Sequence, residues 1–344
     1  MKKTTVVIPN YNGIKYLENC LRSLLKDAGE SGCSDLFDIL VIDNGSSDGS
    51  ELVVEKLGGC VCAHSAEGVA GNGAYPALRQ IRFAHNTGFC RAVNAGIRAA
   101  ETPYVLLLNN DTKVCTGFVA GLTEVLEQEK KAFSVSAKLL SMKEPEVMDD
   151  AGDYYCALGW AFARGKGKPA AADDKKAEIF AACGGAAVYR RELVEELGYF
   201  DENHFAYLED IDLAYRAQIH GYRNYYCPAA RVLHAGSATT GSAHNPFKVR
   251  LSAKNSVYLV YKNMPLFQFL LNLPFLAAGH LIKYAYFCKK GLGGDYRRGF
   301  SEGIALCRSK EGKAHKVKFC AKHLDNYVKI QIFLWLNMVR RLAG

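Results

Sequence analysis

Two acidic clusters, Asn109-Asn110-Asp111 and Glu209-Asp210-Ile211-Asp212, lie about a hundred residues apart. Each follows an apolar or aromatic run, so each is positioned to project from the end of a structural element. One carboxylate centre suits a metal ion and the other suits the movement of a proton. That is the equipment for displacing a phosphorylated leaving group with a hydroxyl nucleophile. Either cluster alone reads as surface charge. Beside Val6-Val7-Ile8-Pro9-Asn10-Tyr11-Asn12 and Val41-Ile42-Asp43-Asn44-Gly45-Ser46-Ser47-Asp48 they read as a site.

The spacing of apolar residues predicts the elements that hold these groups. Strands are expected over Thr4–Ile8, Asp38–Ile42, Ile81–Phe83 and Tyr104–Leu108, and helices over Tyr16–Leu25, Gly49–Leu57 and Phe89–Ala100. The alternation predicts an α/β fold with a mostly parallel central sheet covered by helices on both faces. Ligands of such sheets bind beyond the carboxyl ends of the strands. Pro9, Asp43, His85–Gly88 and Asn109–Asp111 all fall there. Further on, Ala182–Val188 reads as a small-residue strand that a ligand can approach closely. Arg191–Leu197 and Asp212–His220 read as helices, and Tyr222–Cys227 and Arg231–His234 as two strands. Residues 58–79 are rich in Gly and Ala and read as a surface insertion. Gly71-Asn72-Gly73 within it lacks the third glycine of a dinucleotide fingerprint. Residues 164–178 read as a mobile loop, either lid or linker.

With 344 residues, 49% of them apolar, the chain buries a full core and is not disordered. The net charge of +8 is uneven: residues 283–344 hold fourteen Lys/Arg and four Asp/Glu, a net of +10, which leaves −2 for residues 1–282. A near-neutral body with a basic tail argues against a nucleic-acid-binding core. It points the tail at an anionic surface such as a membrane, or at solubility alone. The twelve cysteines are scattered without a CxxC, which predicts reduced, buried thiols. The first apolar run is too short for a signal peptide, so a cytoplasmic protein is expected. The texture changes near residue 247, dividing the chain into a catalytic domain, 1–246, and a basic helical extension, 247–344. Asn263–Ile282 is free of charge and long enough to span a bilayer. Its Pro265, Gln268, Asn272, Pro274 and His280 favour a helix lying in the interface, with packing on the catalytic domain as the alternative. Tyr327–Leu342 reads as a last helix.

The motifs above, with Asn86-Thr87-Gly88-Phe89 and Asn94, Leu107-Leu108-Asn109-Asn110-Asp111, Gly184-Gly185, Phe200-Asp201-Glu202 and His234-Ala235-Gly236-Ser237, occur in one order over roughly residues 4–240. In them the chain resembles the family 2 inverting glycosyltransferases of the GT-A fold. Within that family it is similar to the bacterial rhamnosyltransferase-type enzymes of surface polysaccharide assembly. The resemblance implies a nucleoside-diphosphate sugar donor (dTDP or UDP), a saccharide or polyprenyl-linked acceptor, peripheral membrane contact and Mg²⁺ or Mn²⁺.

The resemblance also implies roles. Asp43 accepts a hydrogen bond from the pyrimidine base, Pro9, Tyr11 and Asn12 wall the base and ribose, and Asn86, Gly88, Asn94 and Asn110 belong to the donor site. Arg91 reads as a diphosphate contact or as a solvent-facing arginine, and Tyr11 as wall or as core. Lys254 and Asn255 are weaker phosphate candidates. Asp48 suits an Asx turn or cap. Asp111 and His234 are the implied metal ligands, although the usual second acid of a DxD cluster is missing from Asn109-Asn110-Asp111. Asp210 is the candidate base that takes the proton of the acceptor hydroxyl, with Glu209 orienting it or the acceptor. Asp212 points elsewhere as a cap or ion-pair partner. Gly184 and Gly185 line the sugar or acceptor. A sugar nucleotidyltransferase would need a Gly-rich basic loop after the first strand, which Pro9-Asn10-Tyr11-Asn12-Gly13 lacks. A non-catalytic binding protein would not need Asp43, Asp111 and Asp210 together.

Overall fold

The computed structural model describes residues 2–32, 36–62, 77–236 and 244–343. The interior of the expected 58–79 insertion, including Gly71-Asn72-Gly73, and Ser237 lie outside the described residues. Thirteen strands are described: β1 Thr4–Asn10, β2 Phe37–Asp43, β3 Cys60–Cys62, β4 Leu78–Arg82, β5 Tyr104–Leu108, β6 Thr112–Val114, β7 Ala132–Ser141, β8 Met148–Asp150, β9 Asp153–Tyr155, β10 Ala161–Ala163, β11 Ala177–Ile179, β12 Ala186–Arg190 and β13 Arg223–His234. The main sheet runs β11-β13-β7-β12-β5-β1-β2-β4-β3, with β6 on β13 and β8 on β7. β3, β4, β2, β1 and β5 are mutually parallel, while β12 is antiparallel to both β5 and β7.

Alternation along the strands builds two cores. Val6, Ile8, Ile39, Val41, Leu106 and Leu108 face one side, where α1 (Leu17–Glu30) and α4 (Phe118–Gln128) cover them. Val7, Leu40, Ile42, Val105 and Leu107 face the other, under α3 (Phe89–Ala99), α5 (Arg191–Glu196) and α6 (Glu209–Ile219). Central strands buried on both faces leave only their carboxyl ends free to meet a ligand.

Several elements differ from the sequence reading. The two expected strands Tyr222–Cys227 and Arg231–His234 are one, Arg223–His234, with a register shift between Tyr226 and Arg231, around Pro228, where a ladder hydrogen bond is impossible. The strand expected over Ala182–Val188 starts only at Ala186, so Gly184 and Gly185 sit in the loop before it. The expected mobile loop 164–178 is tied down: Lys166 pairs with Asp149, Arg164 with Asp173, and Ala177–Ile179 adds a strand beside β13. The thiols are not uniformly buried, since Cys288 and Cys320 are exposed.

From Pro246 the chain is helical. α7 (Pro246–Asn263), α8 (Leu266–Lys289), α9 (Gly293–Arg308), α10 (Lys310–Ala314) and α11 (Leu324–Ala343) follow one another. α2 (Val53–Lys56) completes the helices. Tyr155, Phe180, Ile211, Tyr215, Leu259, Leu276, Tyr327 and Leu334 form a third core, joining α6 to α7, α8 and α11. α8 is long and apolar enough to cross a bilayer, but its outward face is simply exposed, with Leu266 72% and Leu281 67% accessible.

Candidate active site

The strand ends are joined by side-chain amides. Asn10, at the end of β1, is the hub: its Nδ2 donates to Asp43 Oδ1 at 3.2 Å and to Ser50 Oγ at 3.0 Å, and its Oδ1 accepts from Asn110 Nδ2 at 2.7 Å. Asn44 does the same for the next loop. Its Oδ1 accepts from the backbone N–H of Thr87, and its Nδ2 donates to Asn86 Oδ1 and the Gly88 carbonyl. Asn12 Oδ1 accepts from Ser47 N–H, and Asp48 accepts from the N–H groups of Ile14 and Ser50. Tyr11 is exposed and Pro9 half-buried at the same edge. Gly88 has φ +91°, and a Cβ there would lie 2.6 Å from the Phe205 ring.

A second chain of contacts leads to the acidic cluster. Asn109 N–H donates to the Gly185 carbonyl at 2.9 Å, and Gly184 N–H donates to Asp210 Oδ2 at 3.3 Å. A Cβ on Gly184 would lie 3.9 Å from the Asp210 carboxylate, in ordinary van der Waals contact, which places this glycine directly against the acid. Asp43, Gly184, Gly185 and Asp210 are thereby linked, through Asn10, Asn110 and Asn109, at the carboxyl ends of the parallel strands.

Glu209 and Asp210 open α6 after a loop in an unusual conformation. Phe205, Tyr207 and Leu208 all have φ between +65° and +69°. Left-handed backbone at such residues costs about 1–3 kcal/mol each and persists only where surroundings enforce it. Asn255 of α7 enforces it: fully buried, its Nδ2 lies within 2.8–2.9 Å of the carbonyls of His204, Ala206 and Tyr207. This corrects the phosphate reading of Asn255. Lys254 likewise donates to the Asn203 carbonyl. Burial, with the Asp210 charge beside it, pushes Glu209 up to about 8, and its buried Oε2 has no hydrogen-bond partner among the described residues. Burial also raises Asp210, against the opposing N–H donors of Gly184 and Ile211.

Asp111 is buried, and its Oδ1 lies 3.5 Å from His234 Nε2. His234 Nδ1 lies 2.7 Å from Asp149 Oδ2. Burial works against the imidazolium, but the Asp111 and Asp149 carboxylates outweigh it and raise His234 to about 9. The hydrogen bond from His234, opposed by burial, lowers Asp149 to about 2. Once Nε2 releases its proton, an oxygen and an imidazole nitrogen face each other, with the other ring nitrogen fixed by a carboxylate, and that donor set fits a divalent cation. A different group, Asp150, Asp153 and Cys183, also has metal-binding spacing. Burial raises Asp150 to about 7 and raises Asp153, both beside Asp210. A third group, Asp201, His204 and Asp212, already holds the Lys262 ammonium, 2.7 Å from Asp201 and 2.8 Å from Asp212.

Asn94 is corrected as a donor-site residue. It is buried, with Nδ2 on the Phe200 carbonyl and Oδ1 on the Phe200 N–H, so it pins the 200–202 segment to α3. Arg91 projects exposed from the first turn of α3. Asn86 Oδ1 accepts from Asn44 Nδ2 and from the Gly88 N–H. Asp149, Asp150 and Asp153 were not singled out by the sequence reading. Their signal is three acids in five residues around Gly152, within two strands only three residues long.

A family model described as glycosyl transferase family 2 matches residues 5–198. The chain belongs to glycosyl transferase family 2. The matched span includes β1 to β12, while Glu209, Asp210 and His234 lie beyond it. This family 2 enzyme is 26% identical over 260 residues to the N-acetylglucosaminyl-diphospho-decaprenol L-rhamnosyltransferase of Mycobacterium tuberculosis, a match covering 69% of this chain and 77% of the relative. Among solved structures it is similar to GalNAc-T7 with UDP, GalNAc and Mn²⁺ (TM-score 0.56, 18% identity, 76% of this chain), of which it spans only 48%. It is also similar to the mannosyltransferase PcManGT of Pyrobaculum calidifontis in complex with GDP-Man and Mn²⁺ (TM-score 0.51, 18% identity, 96% and 84% of the two chains). The fold is therefore GT-A and the protein is a glycosyltransferase.

Proposed function

We propose that this glycosyltransferase moves a sugar, with inversion, from a dTDP- or UDP-linked donor to a saccharide carried on a lipid diphosphate. The rhamnosyl group is the favoured donor sugar, on the strength of the mycobacterial relative. The observation that carries the reading is the hydrogen-bonded chain from Asp43 through Asn10, Asn110 and Asn109 to Gly185, Gly184 and Asp210. It sets a carboxylate suited to a base N–H at one end and a desolvated carboxylate at the other. Pro9, Tyr11 and Asn12 flank the first. Asp210, raised by burial, takes the proton of the acceptor hydroxyl as the oxygen attacks the anomeric carbon. Glu209 sits beside it and keeps the pair's charge low. Gly184 and Gly185 leave room for the sugar. Asp111 and His234 would hold Mg²⁺ or Mn²⁺, which when bound neutralises charge on the departing diphosphate. The site is taken to work at the cytoplasmic face of the membrane, with the exposed face of α8 and the basic C-terminal helices against lipid.

Asp210→Asn tests the assignment. Transfer should fall at least about a thousandfold while donor affinity, measured by calorimetry, changes less than about threefold. Equal loss of both would remove Asp210 from the base role. Release of nucleoside diphosphate from candidate donors supports the transferase reading; release of pyrophosphate would instead support a nucleotidyltransferase.

A further inference from the structure

Between α7, α8 and α9 lies a groove of about 800 Å³. Its walls include Val260, Leu273, Leu276, Ala277, Phe300 and Ile304. The lining imidazole, His280, is already engaged with the Tyr296 hydroxyl at 2.7 Å. The groove thus offers almost nothing to a polar ligand, and its size is that of a site for a medium-sized apolar molecule. Two exposed cations, Arg308 and Lys316, also line it. Neither has a carboxylate within ion-pair distance among the described residues. A long apolar body with an anionic head complements this arrangement of apolar walls and two cations.

The position of the groove relates it to the acidic cluster. Asn255 on α7 clamps the loop that ends at Glu209, and Val260 and Tyr261 on the same helix line the groove. The separation along the helix axis is only about 8–9 Å at a rise of 1.5 Å per residue. The groove also runs into the exposed apolar face of α8, at Leu266 and Leu281. We infer that this groove seats the isoprenoid chain of the lipid-diphosphate acceptor, with Arg308 and Lys316 meeting its diphosphate. The inference rests on the lipid-linked acceptor reading given above and adds where the lipid goes.

The full-length protein tests it with two matched acceptors, the same saccharide diphosphate on a long polyprenyl chain and on a short alkyl chain. Wild type should use the long-chain acceptor with kcat/KM about tenfold higher or more. Ala277→Trp, which fills the groove from an exposed position, should abolish that preference while leaving turnover of the short-chain acceptor and donor hydrolysis within about twofold. Arg308→Glu with Lys316→Glu should weaken binding of a fluorescent polyprenyl diphosphate about tenfold, and an ordinary phospholipid should not displace the probe. A long-chain preference that survives Ala277→Trp, or equal use of both acceptors by wild type, overturns the groove assignment and leaves the transferase reading standing. Displacement of the probe by phospholipid also overturns it, assigning the groove to bulk lipid. Transfer to neither acceptor, with donor hydrolysis intact, would overturn the lipid-linked acceptor reading itself.

Discussion

Replacing Asn255 with Ala should separate stability from activity. The side chain is fully buried and its amide N–H groups are shared among three carbonyls of the 204–207 loop. Orphaned buried acceptors cost about 1–3 kcal/mol. The same loop holds Phe205, Tyr207 and Leu208 at positive φ, a strain of about 1–3 kcal/mol per residue that relaxes once the clamp is gone. The two effects oppose each other, so the net loss of stability should be only about 1–2 kcal/mol. The loop leads directly into Glu209 and Asp210, whose placement is then lost. Turnover should fall a hundredfold or more, since misplacement of a reacting group by about 1 Å has that effect. Urea denaturation measures the first quantity and initial-rate kinetics under saturating donor the second, on the same preparation. A variant that keeps wild-type turnover would refute the clamp, and so would a stability loss above about 4 kcal/mol, which would mark Asn255 as a core residue and no more.

The Asp201–Lys262–Asp212 network predicts a pH-dependent cost. Burial opposes the charge on both acids, but Lys262, with Arg216 at Asp212, holds them below the ordinary carboxylate range. Their contribution is present above the unfolded carboxylate value of about 4 and fades as pH falls through the lower folded values. Lys262→Met should therefore cost about 3 kcal/mol at pH 7 and progressively less below pH 4, by denaturant titration at each pH; a pH-independent cost would contradict the network. Gly88→Ala should destabilise by about 2–3 kcal/mol, because the new Cβ meets Phe205 at 2.6 Å on a left-handed backbone; an unchanged melting temperature would contradict this. Charging the outer face of α8 with Leu270→Glu and Leu281→Glu should reduce sedimentation with anionic vesicles at least fivefold without changing the circular dichroism spectrum. Undiminished sedimentation would take α8 out of membrane contact. Deleting residues 263–344 is a poorer test, since it strips Tyr327 and Leu334 from the third core.

The parallel half of the sheet was legible because residues 6–8, 39–42 and 105–108 are apolar runs that stop at Pro9-Asn10, Asp43 and Asn109. Asp43 and Asp111 were found there for that reason. Asp149, Asp150 and Asp153 escaped because three-residue strands show no period. Asn94 was misplaced because motif membership says nothing about where an amide points, and only the fold reveals Phe200 on its far side. Asn255 and Lys262 were invisible as supports for α6, since their partners lie about fifty residues away in sequence. The break at Pro228 hid the unity of β13 for a local reason, because a proline reads as the end of a strand.

The halves of the cleft are held by different kinds of group. Asn10, Asn44 and Asn110, which join the ends of the parallel strands, have no proton to gain or lose between acid and alkaline media. Glu209, Asp210, Asp150 and Asp153, at the opposite end, are all displaced toward neutrality by burial. Acidity in the surrounding medium thus has a direct handle on the acidic cluster and none on the amides that join the strand ends. The amide bracing from Asn10 to Asn110 should therefore persist across buffers in which the charge of the acidic cluster changes.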